Sequence, residues 1–260
     1  MNYVDLHVHS LVSDGSMRPE EIAVHAAERG LSAFALTDHD NIAGDAAAWQ
    51  AAADLGLGFL PGMELSVQLR GRKLHIVCLG FAADNPSFQA IYRRVRAGKE
   101  AKIPEIIAYI AAKGIPIRQE DVEAYAYGPL DRYAIMRYLV SLHLYDHAQP
   151  LWDNYLDPAV KALGLSSAIE AEEALPLIHA AGGVTSLAHF HKRIGLKGLT
   201  RAEQERAVCD LQALGLDGME AWYPNYSEDD RAFAVHLIGK YHLLPTAGTD
   251  YQIGRASCRE

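Results

Sequence analysis

Short apolar segments that each run into polar residues recur along this chain, and that rhythm constrains its fold more than any other feature. They cover Tyr3 to Val8, Ala33 to Thr37, Gly58 to Gly62, Leu74 to Phe81, Gly183 to Ala188, Gly218 to Tyr223 and Leu243 to Thr249. Each reads as a strand. Helical patterns lie between several of them, as in Pro19 to Arg29, where proline suits the first turn and Gly30 the stop. Repeated βα units with polar residues at the strand ends predict an α/β fold, a parallel barrel with its chemistry on the C-terminal rim. The chain has 260 residues and 50% hydrophobic content, enough to bury one substantial core, so one main domain is expected.

Residues 86–165 break the rhythm. Ile103, Ile106, Ile107 and Ile110 fall at i, i+3, i+4 and i+7, which makes one apolar helix face, and Gly114 supplies a stop. A second helix is predicted through Tyr133 to His143. The stretch reads as a helical insertion packed over the barrel mouth, where it would gate the substrate, because barrel loops tolerate insertions. The expected organisation is a first barrel part over 1–85, the insertion over 86–165 and a second barrel part, truncated, over 166–251. Residues 252–260, from Gln252 to Glu260, have no apolar period and read as a non-native tail.

A formal charge of -9 argues against a general nucleic-acid coat or an anionic-membrane binder, since both rely on broad positive potential. Cys78, Cys209 and Cys258 lack C-x-x-C spacing, so neither a disulfide framework nor a cysteine zinc site is indicated, and a cytoplasmic location is expected. No apolar run reaches spanning length and no leader-like start is visible, so secretion and membrane insertion are not expected.

Residues two apart on a strand share a face, so His7 and His9 can present two imidazoles to one centre. Asp14, in Ser13-Asp14-Gly15-Ser16, could bring a carboxylate back toward them. Mixed imidazole and carboxylate ligation suits zinc, manganese or iron. A lone H-x-H pair is as readily two partly buried strand histidines. Other strand ends add His39 in Thr37-Asp38-His39-Asp40, Glu64 after Pro61-Gly62-Met63, His75, His189 after Ala188, and Asp250 after Gly248-Thr249. So many costly polar groups aimed at one rim are hard to explain as core filling.

Taken in order, Asp5-x-His7-x-His9, Ser13-Asp14-Gly15, Thr37-Asp38-His39-Asp40, Pro61-Gly62-x-Glu64, His75, Ala188-His189 and Gly248-Thr249-Asp250 resemble the motifs of the polymerase and histidinol phosphatase (PHP) family, and they span nearly the whole chain. The resemblance implies a distorted seven-stranded TIM-like barrel that binds two or three divalent metals, usually manganese, iron or zinc. It implies His7, His9, Asp14, His39, Glu64, His75, His189 and Asp250 as ligands. Gln252 stands where the family pattern ends in histidine, so lower occupancy of one metal and depressed activity are expected.

Clustered divalent ions activate a water and neutralise charge on a phosphoryl group, so no serine or cysteine triad is needed. Asp40 is the candidate proton donor to the leaving oxygen; a hydrogen bond to a ligand histidine is its alternative role. Arg132 and Arg137, in Arg132-Tyr133-Ala134-Ile135-Met136-Arg137, and Lys192 and Arg193, after His189-Phe190-His191, loosely match the phosphate-contacting segments of stand-alone family members. A solvated surface charge is the alternative for each. Trp222-Tyr223-Pro224-Asn225-Tyr226-Ser227 resembles the family's tyrosine-proline rim loop, where Tyr223 could stack a nucleobase, while Trp222 is expected in the core. Arg93, Arg94, Arg96, Lys99 and Lys102 read as a solvated helix face that could draw in a polyanion.

Stand-alone members with a helical insertion act on nucleoside 3′,5′-bisphosphates and on short RNA or DNA from the 5′ end, and this chain is most similar to that branch. The resemblance therefore implies a metal-dependent phosphoesterase whose partner is a phosphorylated small molecule or short nucleic acid, with no membrane and no protein partner indicated. Histidinol phosphate is the competing substrate. Amidohydrolase barrels also begin with H-x-H, but the Pro-Gly-x-Glu and Ser-Asp-Gly segments favour the phosphoesterase. A non-catalytic metal- or phosphate-binding module is the third reading.

Overall fold

The computed structural model describes residues 3–165 and 168–251. Gln252 and the rest of the suspected tail lie outside the described residues. In chain order the elements are β1 (Tyr3–Val8), α1 (Pro19–Glu28), β2 (Leu31–Leu36), α2 (Asp45–Asp54), β3 (Gly58–Leu69), β4 (Arg72–Leu79), α3 (Pro86–Glu100), α4 (Ile103–Ala111), α5 (Gln119–Glu123), α6 (Arg132–Ser141) and α7 (Gln149–Leu151). After a π-helical turn, Trp152–Leu156, come α8 (Asp157–Ala162), β5 (Ile169–Glu170), α9 (Ala171–Ala180), β6 (Val184–Leu187), α10 (Arg201–Ala213), β7 (Gly218–Trp222), α11 (Glu228–Tyr241) and β8 (Leu244–Ala247). They group into two compact units, one of residues 3–93 with 168–251 and one of 94–165.

The first unit is α/β with a mostly parallel sheet in the order β1-β2-β3-β4-β6-β7-β8, and β5 pairs with β3 off that path. It departs from the expected barrel in three ways. Among the described residues the sheet has eight strands, the seven of that path and β5 beside it. β4 runs antiparallel to both β3 and β6. Among the described residues no ladder joins β1 to β8, and an isolated parallel bridge links Val8 to Tyr251 just after β8.

The antiparallel pair has a local cause. Pro61-Gly62 reads as punctuation, yet β3 continues through it to Leu69, because Leu65 and Val67 alternate with Ser66 and Gln68 in the two-residue period of a strand. Gly62 is needed there because a Cβ would lie 2.5 Å from the Leu36 carbonyl oxygen on β2. Arg70 and Gly71, with φ of 50° and 77°, then form a two-residue turn that pairs Leu69 with Arg72. Turns with both central residues left-handed match the twist of a hairpin.

Val8, Phe34 and Leu36 pack against Ile22, Ala23 and Ala26 of α1 and Ala48 and Ala52 of α2. In the second unit the predicted face of α4, Ile103, Ile106, Ile107 and Ile110, is buried against Ile135 and Leu139 of α6 and Leu151 and Leu156. Each such side chain contributes about 1.5–3 kcal/mol relative to exposure. Asp131 caps α6 by accepting hydrogen bonds from the Tyr133 and Ala134 amides, so the helix starts slightly earlier than its apolar pattern predicts. Among the described residues, no helix is long and apolar enough to cross a membrane.

Candidate metal centre

Strand ends of the first unit bring the expected polar side chains into one buried group. Glu64 is its hub. One carboxylate oxygen, Oε1, lies 2.9 Å from His75 Nδ1 and 2.7 Å from His189 Nε2. The other, Oε2, lies 2.8 Å from His39 Nδ1, 3.3 Å from His9 Nε2 and 3.4 Å from His7 Nε2. Asp14 reaches His9 Nδ1 at 3.4 Å and His39 Nε2 at 3.5 Å. Asp250 Oδ1 lies 3.2 Å from His9 Nε2 and 3.8 Å from His7 Nε2. Every residue that the resemblance implied as a ligand thus converges here.

The local backbone explains the convergence. Gly248 passes so close to β1 that a Cβ would lie 2.2 Å from the His7 Cβ, which lets the next residues carry Asp250 over the site. The amide of Asp250 donates to the His7 carbonyl at 2.9 Å. Asp40, His189 and Asp250 hold left-handed φ of 51°, 21° and 51°. Such conformations cost about 1–3 kcal/mol each and persist where the surroundings enforce them. Here those surroundings include carboxylate clamps. Asp5 accepts from the Thr249 amide (3.0 Å) and hydroxyl (2.6 Å), tying β1 to the segment after β8. Asp38 accepts from the Ser10 amide (2.8 Å) and the Ser13 hydroxyl (2.5 Å), tying β2 to the loop after β1.

Electrostatics point to cations at this centre. Burial alone would raise the Glu64 carboxyl, but the imidazoles of His75, His39, His7 and His189 hold it well below its usual range. Burial opposes charge on His39, yet Glu64 and Asp14 bring it up to about 10. His75 is pushed down to about 4 by burial, against the pull of Glu64. Burial opposes ionisation of Asp250 too, and His9, His7 and Lys192 keep it well below the ordinary value.

The donor set fits divalent metals. Among the described residues, Glu64 Oε2 and His75 Nδ1 have ion-pair contacts but no well-aligned hydrogen bond, and His189 Nδ1 is buried without a hydrogen-bond partner. The Nε2 atoms of His7 and His9 face each other at 3.1 Å, where one proton at most can be shared. Leaving such atoms unmatched in a dry interior costs roughly 1–3 kcal/mol apiece, which coordination of a cation relieves. Three sets have one donor atom per residue within 4.8 Å of one another: His7, Glu64 and His189; His7, His9 and Asp250; His9, His39 and Glu64. Imidazole and carboxylate donors in that mixture suit zinc, manganese or iron.

The remaining expected residues are placed less uniformly. Asp40 is buried, and its carboxylate accepts from the amide (2.6 Å) and hydroxyl (2.7 Å) of Ser66 on β3. Tyr223 is buried and donates to Asp250 Oδ2 at 2.7 Å. Lys192 pairs with the same oxygen and lies 5.1 Å from the Tyr223 ring centroid. Arg193 is exposed. In the helical unit, Arg132 lies 5.4 Å from the Trp152 ring centroid and 4.0 Å from Asp157, and Arg137 donates to the Tyr125 carbonyl at 2.9 Å.

Two expectations are corrected. Trp222 is 53% exposed rather than in the core, because a bulge between Glu220 and Trp222 shifts the register of β7 against β8. Arg96 is buried, not solvated, with its guanidinium 3.8 Å from Asp131 and 3.5 Å from Glu100. One contributor was missed by sequence reasoning: Glu220 on β7, whose Oε1 lies 2.6 Å from His7 Nδ1. Its signal was an acidic residue inside the otherwise apolar segment Gly218-Met219-Glu220-Ala221-Trp222.

An α/β sheet that gathers buried imidazoles and carboxylates around one glutamate defines a metal-binding hydrolase. The PHP domain model matches residues 5–161, and the chain belongs to that family. It is 31% identical to the 5′-3′ exoribonuclease of Haemophilus influenzae, over 95% of this chain and 89% of that one. It is 32% identical to the 3′,5′-nucleoside bisphosphate phosphatase of Chromobacterium violaceum, over 96% and 87%. Among solved structures, an amidohydrolase from Chromobacterium violaceum with bound sulfate and no metal matches with a TM-score of 0.82 at 30% identity, covering 96% of this chain and 88% of that one. A Bifidobacterium adolescentis protein matches with a TM-score of 0.83 at 24% identity, covering 96% and 87%, which shows the fold alone.

Proposed function

We propose that this chain is a metal-dependent phosphoesterase that hydrolyses phosphate esters of nucleotides, either nucleoside 3′,5′-bisphosphates or the 5′ ends of short oligonucleotides. The carrying observation is Glu64, a buried carboxylate shared by five imidazoles, with Asp14 and Asp250 flanking them. The names of the two relatives of similar length support the substrate class. The finer architecture we propose is a distorted barrel built on the seven strands of the sheet path, with β5 beside it and a helical insertion over 86–165, working in the cytoplasm.

His7, His9, Asp14, His39, Glu64, His75, His189 and Asp250 would hold two or three divalent ions of manganese, iron or zinc. When bound, such ions supply Lewis acidity toward a water and a phosphoryl oxygen. Glu64, with an oxygen in reach of each of two donor sets, would contribute to holding more than one ion. Tyr223 and Lys192 hold Asp250 Oδ2, which leaves Oδ1 directed at His7 and His9. Lys192, part exposed at the same carboxylate, offers a cation to a phosphate oxygen, and Arg193, Arg132 and Arg137 are further candidates. Asp40 donates a proton to the leaving oxygen if it is released from Ser66; held there, it fixes the strand end that carries His39.

The test is phosphate release from adenosine 3′,5′-bisphosphate, histidinol phosphate and a 5′-phosphorylated oligonucleotide by manganese-loaded protein. Selective release from the nucleotides is the expected outcome. Release from histidinol phosphate alone would reassign the substrate. Silence across the panel with metal bound would favour a non-catalytic binding module or amide hydrolysis, the latter being the reading suggested by the name of one structural relative.

A further inference from the structure

Glu220 touches two members of the centre without sharing their donor cluster. It is 1% exposed on β7. Its Oε1 lies 2.6 Å from His7 Nδ1, and its Oε2 accepts the His189 amide at 2.5 Å. His7 belongs to β1 and His189 follows β6, so one side chain joins the ends of three strands.

A neutral imidazole can carry its proton on either ring nitrogen, and a carboxylate only accepts. Opposite Glu220, the proton therefore belongs on Nδ1. The lone pair is then left on Nε2, the atom that faces Glu64, His9 and Asp250. We infer that Glu220 is a positioning residue, which locks His7 in the Nδ1–H tautomer and holds the His189 backbone so that both imidazoles meet the same ions. This rests on the metal-dependent reading. The role is separable from simple support of the strand, because β7 is held through its main chain: the ladder to β8 continues through Glu220, and the Tyr226 hydroxyl donates to the Glu220 carbonyl at 3.4 Å.

Glu220→Gln and Glu220→Ala, compared with the parent, test the assignment. Three quantities are read: thermal unfolding of the metal-free chains, zinc affinity by competition with a chromogenic chelator, and the position of the His7 ring proton from imidazole nitrogen spectra of zinc-loaded protein, with His7→Gln identifying the signals. Glu220→Gln should keep nearly the parent's unfolding temperature, Glu220→Ala should unfold several degrees lower because the His7 ring and the His189 amide lose their acceptor, and both should bind zinc on the order of 10–100-fold more weakly. The parent should carry its proton on Nδ1. Glu220→Gln can donate its amide to Nδ1 and should move the proton to Nε2. Parent-like zinc affinity in both variants, or a parent His7 with its proton on Nε2, would overturn the role of Glu220. A parent that takes up no zinc would instead sink the metal-dependent reading itself. Should the variants not fold, the proton position in the parent decides.

Discussion

Replacing Glu64 by glutamine would leave five imidazoles around a neutral amide, with no acceptor charge for the ions to share. Burial alone would raise the Glu64 carboxyl, and the imidazoles of His75, His39, His7 and His189 hold it well below its usual range, so the site is built around that charge. Metal content per chain, read by elemental analysis, should drop in Glu64→Gln, and phosphate release should fall by more than about 100-fold, beyond what loss of a supporting residue costs. Gly248→Ala acts through space instead. Its Cβ would overlap His7, so the segment carrying Asp250 must move away, which should cost about 1–3 kcal/mol in a denaturant titration and weaken metal uptake with no ligand altered. At this scale the ligand candidates were legible, because strand ends place chemically costly side chains where no core needs them. Asp5 and Asp38 were legible only as motif letters, and Asp40 was read as a proton donor or as a partner of a ligand histidine, not as a clamp on Ser66. Their work depends on Thr249, Ser10, Ser13 and Ser66, and every one of these partners lies at least 25 residues away, so no local pattern marks them.

Elements were readable where periodicity was strong and misread where turn chemistry overrode it. The isoleucine face of α4 appeared as its spacing predicts. The strand after Gly58 was cut short at Pro61-Gly62, although the register there needs glycine for close approach and Pro61 sits inside β3 paired with Leu36. The stronger signal was Arg70-Gly71 between two alternating segments. A residue with a Cβ at position 71 meets no neighbour, so Gly71→Ala isolates the left-handed backbone cost, about 1–2 kcal/mol of lost stability by denaturant midpoint. At the start of α2, burial and then the charge of Asp38 push the Asp45 carboxyl up to about 9, and its Oδ2 is buried without a partner. A carboxyl with a raised folded pKa stabilises while protonated, at pH below 3.8, and that contribution is lost as pH climbs toward 9. Asp45→Asn should therefore raise the unfolding temperature at pH 7–9 by roughly 2–4 °C, the equivalent of about 1 kcal/mol in a domain of this size, and give no gain at pH 3.

At the scale of the α/β unit, the seam between β1 and β8 is where fold and site become one problem. Every other neighbouring pair of strands on the sheet path shares a ladder, but here the contacts are a single bridge from Val8 to Tyr251, the His9 amide to the Tyr251 carbonyl at 3.2 Å, the Asp250 amide to the His7 carbonyl at 2.9 Å, and the clamp from Asp5 to Thr249. His7 and His9 stand on one side of that seam and Asp250 on the other, 3.2 Å from His9. An ion shared by these three residues would stitch the seam with bonds that the unfolded chain cannot offer. Binding of that kind stabilises by mass action, about 2.7 kcal/mol at a metal concentration 100 times the dissociation constant. Manganese or zinc should accordingly raise the unfolding temperature by roughly 5–10 °C, with the gain growing as metal is added. The gain should also be local. Hydrogen exchange at the His9 and Asp250 amides should slow on loading and quicken after chelation, while the turn end of the β3–β4 hairpin, where residues 67–69 pair with 72–74 beyond Glu64 and His75, should change little. Equal protection of both regions with and without metal would mean that the seam is held by the protein alone and that the ions act only in chemistry.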